Sequence, residues 1–563
     1  MASLPDDIGL IDTLQYLHLD ALDELNVLRD SVGLLSGLKE LKVVDCPHLE
    51  CFPESVSAMG SLTSLVLDCC AVCELPEDIG QLQSLTLLKL SCAWILALPE
   101  SFGQLGKLRE LMLHACYELT DLPDSFSNLS SLECLEIYGG TCIEMPPVGF
   151  EQLLQLRRLE LFNCSITELP EDFGDLANLK EFKIGTRDTY TRRGFDVDIF
   201  LTSGPRNPEA EVASESALSG SCALRALPHS LVNLPRLELL IIDGCEELVE
   251  LPIGMGNLSS LTALERARYL PESFLSLSRL TSLKIQGLQS LQQLIAPLSL
   301  HQNPSKRKGE AAPHVPPENS SPMLPESIRQ ARLELLSSLT FLHISNTRLP
   351  SLPDNLSDLR GLKVLVLEEC PAMPLLPACL SDLSNLERLS IKTLPLLTNL
   401  PENLGQLKVL SLHLESCKEL QGLPASLTLM TSLICLSIVD CSRITSLPDS
   451  ISSLFHLASL KLNHLPGLNL LPPTLPLLSS LVKLSLRECT GLRALPSNLG
   501  SLSCLREVDL DGCLQLEVQL MLLWEGGADG GVGEAAGAGG SADAGHCGMM
   551  HGMGGMVGIP NGM

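Results

Sequence analysis

Cysteine is the chemically reactive residue type whose spacing in this sequence is most regular. Ten of the 21 cysteines each stand three residues after the second aliphatic residue of a Leu-x-Leu pair: Cys46, Cys70, Cys116, Cys164, Cys245, Cys370, Cys417, Cys441, Cys489 and Cys513. Thiols can bind soft metals, respond to oxidants or act as weak hydrogen-bond donors. These cysteines recur at one position of a repeated sequence pattern, one to a repeat. We therefore predict a structural column of thiols that form hydrogen bonds with backbone groups of the adjacent turn. The close set Cys69, Cys70 and Cys73 leaves redox or metal chemistry as the alternative.

The sequence contains no convincing catalytic motif. The segment GQLGK, residues 103–107, lacks the spacing of a phosphate-binding loop, and the sequence contains no H-E-x-x-H, G-x-S-x-G or kinase motif. We therefore predict a protein that is not an enzyme, with no catalytic residue, no metal site and no cofactor. The alternative is an enzyme whose chemistry lies in the two interruptions of the pattern described below.

A Leu-Pro landmark returns through most of the chain at intervals of 23 or 24 residues. Segments such as LPEDIGQLQSLTLLKLSC and LPSNLGSLSCLREVDLDGC follow one template. In each Leu-x-Leu the two leucines point one way, as in a strand of period two. The acid and serine after the proline suit the start of a short helical or 3₁₀ turn. The sequence thus predicts an α/β repeat solenoid of about 20 units, with a parallel concave β-sheet and short turns on the convex side.

Composition excludes several classes of partner. The 563 residues carry a net charge of −29, which disfavours a nucleic-acid backbone or an anionic membrane surface as the partner. We see no apolar run long enough to span a membrane and no secretory signal at the amino terminus. A cytoplasmic protein with reduced thiols is expected, with nuclear localisation as the alternative.

The pattern divides the chain into blocks. We predict repeats over residues 1–184, an insertion or an eroded repeat with a loop over 185–223, and further repeats over 224–295. A mobile loop rich in proline, serine and charge is predicted over 296–323, a last repeat block over 324–524, and a disordered tail rich in glycine, methionine and histidine over 525–563. The first repeat lacks a polar cap, so we expect either a preceding domain or a fragment.

Residues between and just after the strand leucines face the concave side and vary from repeat to repeat. Two protein-binding clusters are predicted there. The first contains aromatic and arginine residues, which are frequent interface anchors: His114, Tyr138, Arg158 and Phe162. The second is basic and would steer an acidic partner: Arg388, Lys392, Lys461, Lys483 and Arg487. For both, a solvated sheet face is the alternative interpretation.

The motif C-x-x-L-x-x-L-P, as in Cys116 to Pro123 and Cys441 to Pro448, resembles leucine-rich repeats. It looks most like the repeat domain of plant nucleotide-binding disease-resistance receptors, and next like the Ras-group intracellular leucine-rich-repeat scaffolds. The first resemblance implies recognition of a pathogen-derived protein, and the second implies binding of a small GTPase and a phosphatase. The chain departs from the receptors in lacking a P-loop, so it holds no nucleotide switch of its own.

Overall fold

A computed structural model describes residues 3–91, 94–116, 118–139, 149–186, 222–248, 251–267, 272–286 and 336–516, with the single residues Ile143 and Pro146. Most of the predicted insertion 185–223, the whole predicted loop 296–323 and the predicted tail 525–563 lie outside the described residues. Residues Met1–Leu516 form one compact unit.

The described residues contain one parallel sheet of 19 strands, in which each strand pairs with the next along the chain. The strands are β1 Tyr16–Asp20, β2 Glu40–Cys46, β3 Ser64–Cys70, β4 Leu87–Ser91, β5 Glu110–His114, β6 Cys134–Tyr138, β7 Arg158–Phe162, β8 Glu181–Gly185, β9 Leu239–Asp243, β10 Ala263–Ala267, β11 Ser282–Gln286, β12 Phe341–Ser345, β13 Val364–Glu368, β14 Arg388–Lys392, β15 Ser411–Glu415, β16 Cys435–Val439, β17 Ser459–Asn463, β18 Lys483–Ser485 and β19 Glu507–Asp509. The predicted repeat solenoid is confirmed.

Burial alternates along most strands with the predicted period of two, as in β5, β6, β13 and β15. In β6 the side chains of Leu135 and Ile137 are buried, whereas Cys134, Glu136 and Tyr138 are half-buried on the opposite face. The leucines of successive repeats stack into one continuous core because each repeat can bury its apolar face only against its neighbours. The opposite face of the sheet, here called the sheet face, is therefore free to carry function.

Opposite the sheet, the described repeats form short 3₁₀ turns instead of α-helices. These turns are Asp6–Leu10, Asp30–Leu34, Glu54–Ala58, Ile79–Gln81, Glu100–Gln104, Asp124–Asn128, Phe150–Gln152, Glu171–Asp175, His229–Asn233, Met255–Asn257, Glu272–Ser276, Leu356–Asp358, Ala378–Asp382, Leu404–Gln406, Ala425–Leu429, Asp449–Ser453, Leu475–Leu477 and Leu499–Ser501. Many begin directly after the landmark proline, whose fixed φ suits the entry to a helical turn.

Glycines in the 3₁₀ turns bring neighbouring repeats into close contact. A Cβ built on Gly103 would lie 2.1 Å from the carbonyl oxygen of Ser125 in the next repeat, and one on Gly405 would lie 1.9 Å from that of Ser426. The same serines accept a hydrogen bond on Oγ from the glycine N–H, at 3.3 Å in both pairs. The serine of the template thus joins successive repeats, a role that we did not predict.

The cysteine column is structural, as predicted. All ten of its members are buried, and several donate an S–H hydrogen bond to a carbonyl of the preceding repeat, such as Cys489 to Leu462 at 3.0 Å and Cys513 to Leu486 at 2.9 Å. The residue before each of these cysteines has a left-handed backbone, with φ of 51° at Asp45 and 53° at Asp440. This kink turns the cysteine side chain into the core.

The two interruptions of the repeat pattern do not interrupt the sheet. Strand β8 pairs directly with β9 in the register Glu181↔Leu239, and β11 pairs directly with β12 in the register Ser282↔Phe341. The short repeat between β10 and β11 produces a register shift between Leu264 and Ala267. Residues separated by either interruption are therefore neighbours on the sheet face.

Candidate functional site

Strands β5 to β8 bring the first predicted cluster together on the sheet face. The sheet register aligns His114 with Tyr138 and Tyr138 with Phe162, as the repeat spacing predicted. Arg158 lies at the start of β7, four residues before Phe162. We call His114, Tyr138, Arg158 and Phe162 the aromatic patch.

The rings of the aromatic patch form a continuous stack. The imidazole of His114 lies 4.5 Å from the ring of Tyr138, centroid to centroid and nearly parallel. The ring of Tyr138 meets Phe162 edge to face at 5.5 Å. Phe162 is only 2% exposed, so it supports the stack from within, while Tyr138 and His114 are half-buried. Such paired rings are held rigidly at low entropic cost, which suits an interface anchor.

Charged side chains at the middle position of β7 and β8, Glu160 and Lys183, hold the aromatic patch in place. The hydroxyl of Tyr138 donates a hydrogen bond to Oε2 of Glu160. Oε1 of Glu160 lies 2.6 Å from Nζ of Lys183 on the next strand. The same Nζ atom lies 3.2 Å from Oε2 of Glu181. Glu160 is 4% exposed, so its charge needs these partners. The network fixes the orientation of Tyr138.

Arg158 is the most exposed member of the patch. Its guanidinium lies 3.3 Å from Glu181 and 3.7 Å from Glu136, with 46% of the side chain exposed. Burial opposes its charge, but Glu181 and the neighbouring groups Cys134, Glu160 and Glu136 outweigh that effect and raise the pKa of Arg158. The side chain is thus charged, positioned by carboxylates and open to a partner.

Glu136 links Arg158 to the ring stack. Its Oε2 lies 3.4 Å from Nε2 of His114, and its side chain is mostly buried. The neighbouring His114 side chain lowers the pKa of Glu136 from its ordinary value of 4.5; burial opposes this shift, and the charge of Arg158 adds to it. The ionised carboxylate is therefore the form that fits the folded patch.

This shift predicts a pH-dependent contribution to stability. A carboxyl whose pKa is lowered on folding stabilises the fold above its ordinary pKa, and that contribution is lost as the pH falls through the folded value. We expect wild type to be more stable than Glu136→Gln near neutral pH, and the difference to shrink as the pH falls below 4.5. Urea midpoints of both chains across this range measure the effect. A difference that grows with acidification would contradict it.

The repeat spacing also predicts that Glu136, Glu160 and Lys183 face outward from the sheet, but it does not distinguish them from solvated charges. These three residues stand at the middle position of consecutive strands, and the sheet register makes Glu136 a neighbour of Glu160 and Glu160 a neighbour of Lys183. Burial is what distinguishes them as part of the site, because exposed charges on a sheet face are usually only solvated. The side chains of Glu136, Glu160 and Lys183 are largely buried.

The second predicted cluster is not one continuous basic surface. Lys483 pairs with Glu507 at 2.6 Å, and Arg487 pairs with Asp511 at 2.8 Å. Lys392 lies between Glu368 and Glu415, at 3.9 and 4.0 Å. Arg388 on β14 and Lys461 on β17 are exposed but three strands apart, or about 14 Å at the usual strand spacing.

In the described ranges, no three His, Cys, Asp or Glu side chains lie close enough together to hold a metal ion. No helix in the same ranges is long and apolar enough to cross a membrane.

The geometry is that of a leucine-rich-repeat solenoid. A family model described as a leucine-rich repeat region matches residues 54–145. Among curated protein sequences, none matches this chain significantly.

Several solved structures are similar to this chain at low sequence identity. A leucine-rich-repeat protein of Leptospira interrogans is 18% identical, with a TM-score of 0.52, over 90% of this chain and 99% of that chain. The Arabidopsis receptor kinase HAESA, solved with the peptide hormone IDA and the co-receptor SERK1, is 18% identical, with a TM-score of 0.43, over 90% of this chain and 80% of that chain. The functional domain of InlJ from Listeria monocytogenes is 14% identical, with a TM-score of 0.39, over 84% of this chain and 73% of that chain.

Proposed function

We propose that this chain is a non-enzymatic recognition module that binds a protein partner on the sheet face of strands β5 to β8. The observation that carries the proposal is the ring stack of His114, Tyr138 and Phe162, to which Glu136 links the exposed guanidinium of Arg158. Aromatic and arginine side chains dominate binding energies at protein interfaces when they are held rigidly. Here both kinds are positioned before any partner arrives.

The chemistry of the patch defines what the partner must offer. Arg158 presents N–H donors to a carboxylate or carbonyl, and the half-buried ring of Tyr138 offers an apolar surface for an aliphatic or aromatic side chain. Phe162 contributes by supporting Tyr138 and not by direct contact, because it is buried. The partner segment should therefore carry an acidic residue beside an apolar one.

The biological setting belongs to the same proposal. The C-x-x-L-x-x-L-P repeats resemble those of plant disease-resistance receptors, so we place the module in innate immunity or another intracellular signalling pathway. A pathogen-derived protein is the partner that this resemblance favours. The Ras-group resemblance favours a small GTPase, whose binding would depend on its nucleotide.

Charge reversal tests the patch. We expect Arg158→Glu to reduce capture of specific partners by the immobilised full chain at least tenfold, because it places a carboxylate against the partner's acidic residue. Lys42→Glu is the matched control, since Lys42 is exposed on the same face of β2. Quantitative mass spectrometry of proteins captured from cell extract, with and without a GTP analogue, is the measurement.

Each outcome decides between the alternatives. Loss of the same proteins with Arg158→Glu but not with Lys42→Glu supports the patch. Equal capture by all folded variants removes the patch as the binding site. Capture of a small GTPase only with the GTP analogue favours the scaffold over pathogen recognition.

A further inference from the structure

One row of residues along the sheet changes its chemistry abruptly in the last repeat block. The row consists of the residue that directly precedes each strand. Before β1 to β14 it is polar at every repeat: Gln15, Lys39, Thr63, Thr86, Arg109, Glu133, Arg157, Lys180, Glu238, Thr262, Thr281, Thr340, Lys363 and Glu387. Before β15 to β18 it is aliphatic, and we call these four residues the apolar rim: Leu410, Ile434, Ala458 and Val482.

Folding does not require the apolar rim to be aliphatic. The backbone at this row is the same in both blocks: Ile434 N–H bonds the carbonyl of Leu410 at 2.8 Å, as Thr86 N–H bonds that of Thr63. Leu410, Ile434 and Val482 nevertheless remain 41%, 44% and 38% exposed. Since polar residues occupy the same position elsewhere, four consecutive aliphatic ones point to an external partner.

Neighbouring side chains extend the surface and give it a charge. Phe455, three residues before Ala458, is 58% exposed and enlarges the apolar area. Lys408, Lys461 and Arg506 are exposed near the rim, and no carboxylate lies within 4 Å of their nitrogens in the described ranges. In a chain with a net charge of −29, this is a locally basic border around an apolar strip.

Backbone geometry restricts the kind of partner. A partner strand would need unpaired backbone groups, but at the rim the N–H and carbonyl groups already bond from repeat to repeat. The partner must therefore contact side chains. The rim runs over three strand spacings, about 14 Å, which matches between two and three turns of an α-helix at about 5.4 Å each.

We propose that the apolar rim docks an acidic amphipathic helix of a partner protein. Its aliphatic face would cover Leu410, Ile434 and Val482, and its acidic flank would meet Lys408, Lys461 and Arg506. This surface is separate from the aromatic patch and does not depend on it.

The chain itself supplies a conservative test variant. Threonine occupies the same row before β3, β4 and β10 to β12, so the triple change Leu410→Thr, Ile434→Thr and Val482→Thr should preserve the fold. The probe is a display library of 20-residue helix-forming peptides, selected against the wild-type full chain. Circular dichroism and urea midpoints check that the triple variant is folded.

We expect the selected peptides to share an aliphatic face at i, i+4 and i+7 with Asp and Glu beside it. The selected peptides should bind the triple variant at least tenfold more weakly than they bind wild type. They should bind the Lys461→Glu variant severalfold more weakly than they bind wild type. Arg158→Glu should bind them normally, which separates this proposal from failure of the aromatic patch.

Three results would overturn the proposal. The first is a selection that yields no such helices, or helices that bind the triple variant equally well. The second is enrichment of basic helices. The third is self-association of wild type that the triple variant abolishes, because the occupant would then be a second copy of this chain.

Discussion

Replacing Gly405 by alanine should lower the stability of the solenoid by about 3 kcal/mol, the upper part of the range for overpacking a filled site. The added Cβ would lie 1.9 Å from the carbonyl oxygen of Ser426 and 3.0 Å from its Cβ. Backbone atoms cannot rotate away as a flexible side chain can, so the two repeats must separate. We expect a lower urea midpoint by circular dichroism.

Gly422, three residues before the neighbouring turn Ala425–Leu429, provides the matched control. A Cβ built there meets no atom within 4 Å, so Gly422→Ala should change stability by less than about 0.5 kcal/mol. Ser426→Ala separates the contact from the hydrogen bond, because it removes only the Oγ acceptor of the Gly405 N–H and should cost about 1 kcal/mol. Equal midpoints for Gly405→Ala and Gly422→Ala would show that the repeats are not in this close contact.

Lys183→Met should destabilise the chain by about 3 kcal/mol, because it leaves a buried carboxylate without its cation. Nζ of Lys183 lies 2.6 Å from Oε1 of Glu160, whose side chain is 5% exposed. Burial alone would lower the pKa of Lys183, but its bonds to Glu160 and Glu181 outweigh burial and raise it. The ion pair is therefore the state that the fold stabilises.

The control for this pair is an exposed one of similar length. Lys180 lies 2.8 Å from Glu238, but both side chains are about half exposed. Lys180→Met should cost less than about 1 kcal/mol, because water solvates the remaining carboxylate.

A double variant adds an internal check to the Lys183 prediction. Glu160→Gln combined with Lys183→Met should be less destabilised than Lys183→Met alone, since the buried charge has been removed. If Lys183→Met and Lys180→Met shift the urea midpoint equally, the pair near Tyr138 is not buried in solution.

Much of the fold could be predicted because repetition averages out local ambiguity. A single Leu-x-Leu is compatible with strand or helix, but a spacing of 23 or 24 residues that recurs through most of the chain requires one unit stacked on its copies. The same reasoning identified the cysteine column as structural, and the buried thiols confirm it. The repeat spacing also predicts the register on the sheet face. It places Tyr138 next to Phe162, and the two residues are neighbours in the sheet.

The remainder depended on contacts between repeats, which spacing does not encode. Phe162 and Tyr138 occupy the same column, yet Phe162 is buried and Tyr138 is not. The second cluster contains five basic residues in sequence, but ion pairs with Glu507 and Asp511 already engage two of them. Whether a charge is free or paired depends on side-chain placement in the adjacent repeat.

The solenoid, its parallel sheet, the face that carries variable residues and the inward cysteine column can all be predicted from the repeat pattern. A two-residue alternation sets which side chains point inward in every copy. Packing between repeats establishes which outward residues act together: the network of Glu136, Glu160 and Lys183, the close approach of Gly405 to Ser426, and the exposure of the apolar rim. Burial and partner distances arise only when repeats pack against each other, so the pattern of one repeat cannot specify them.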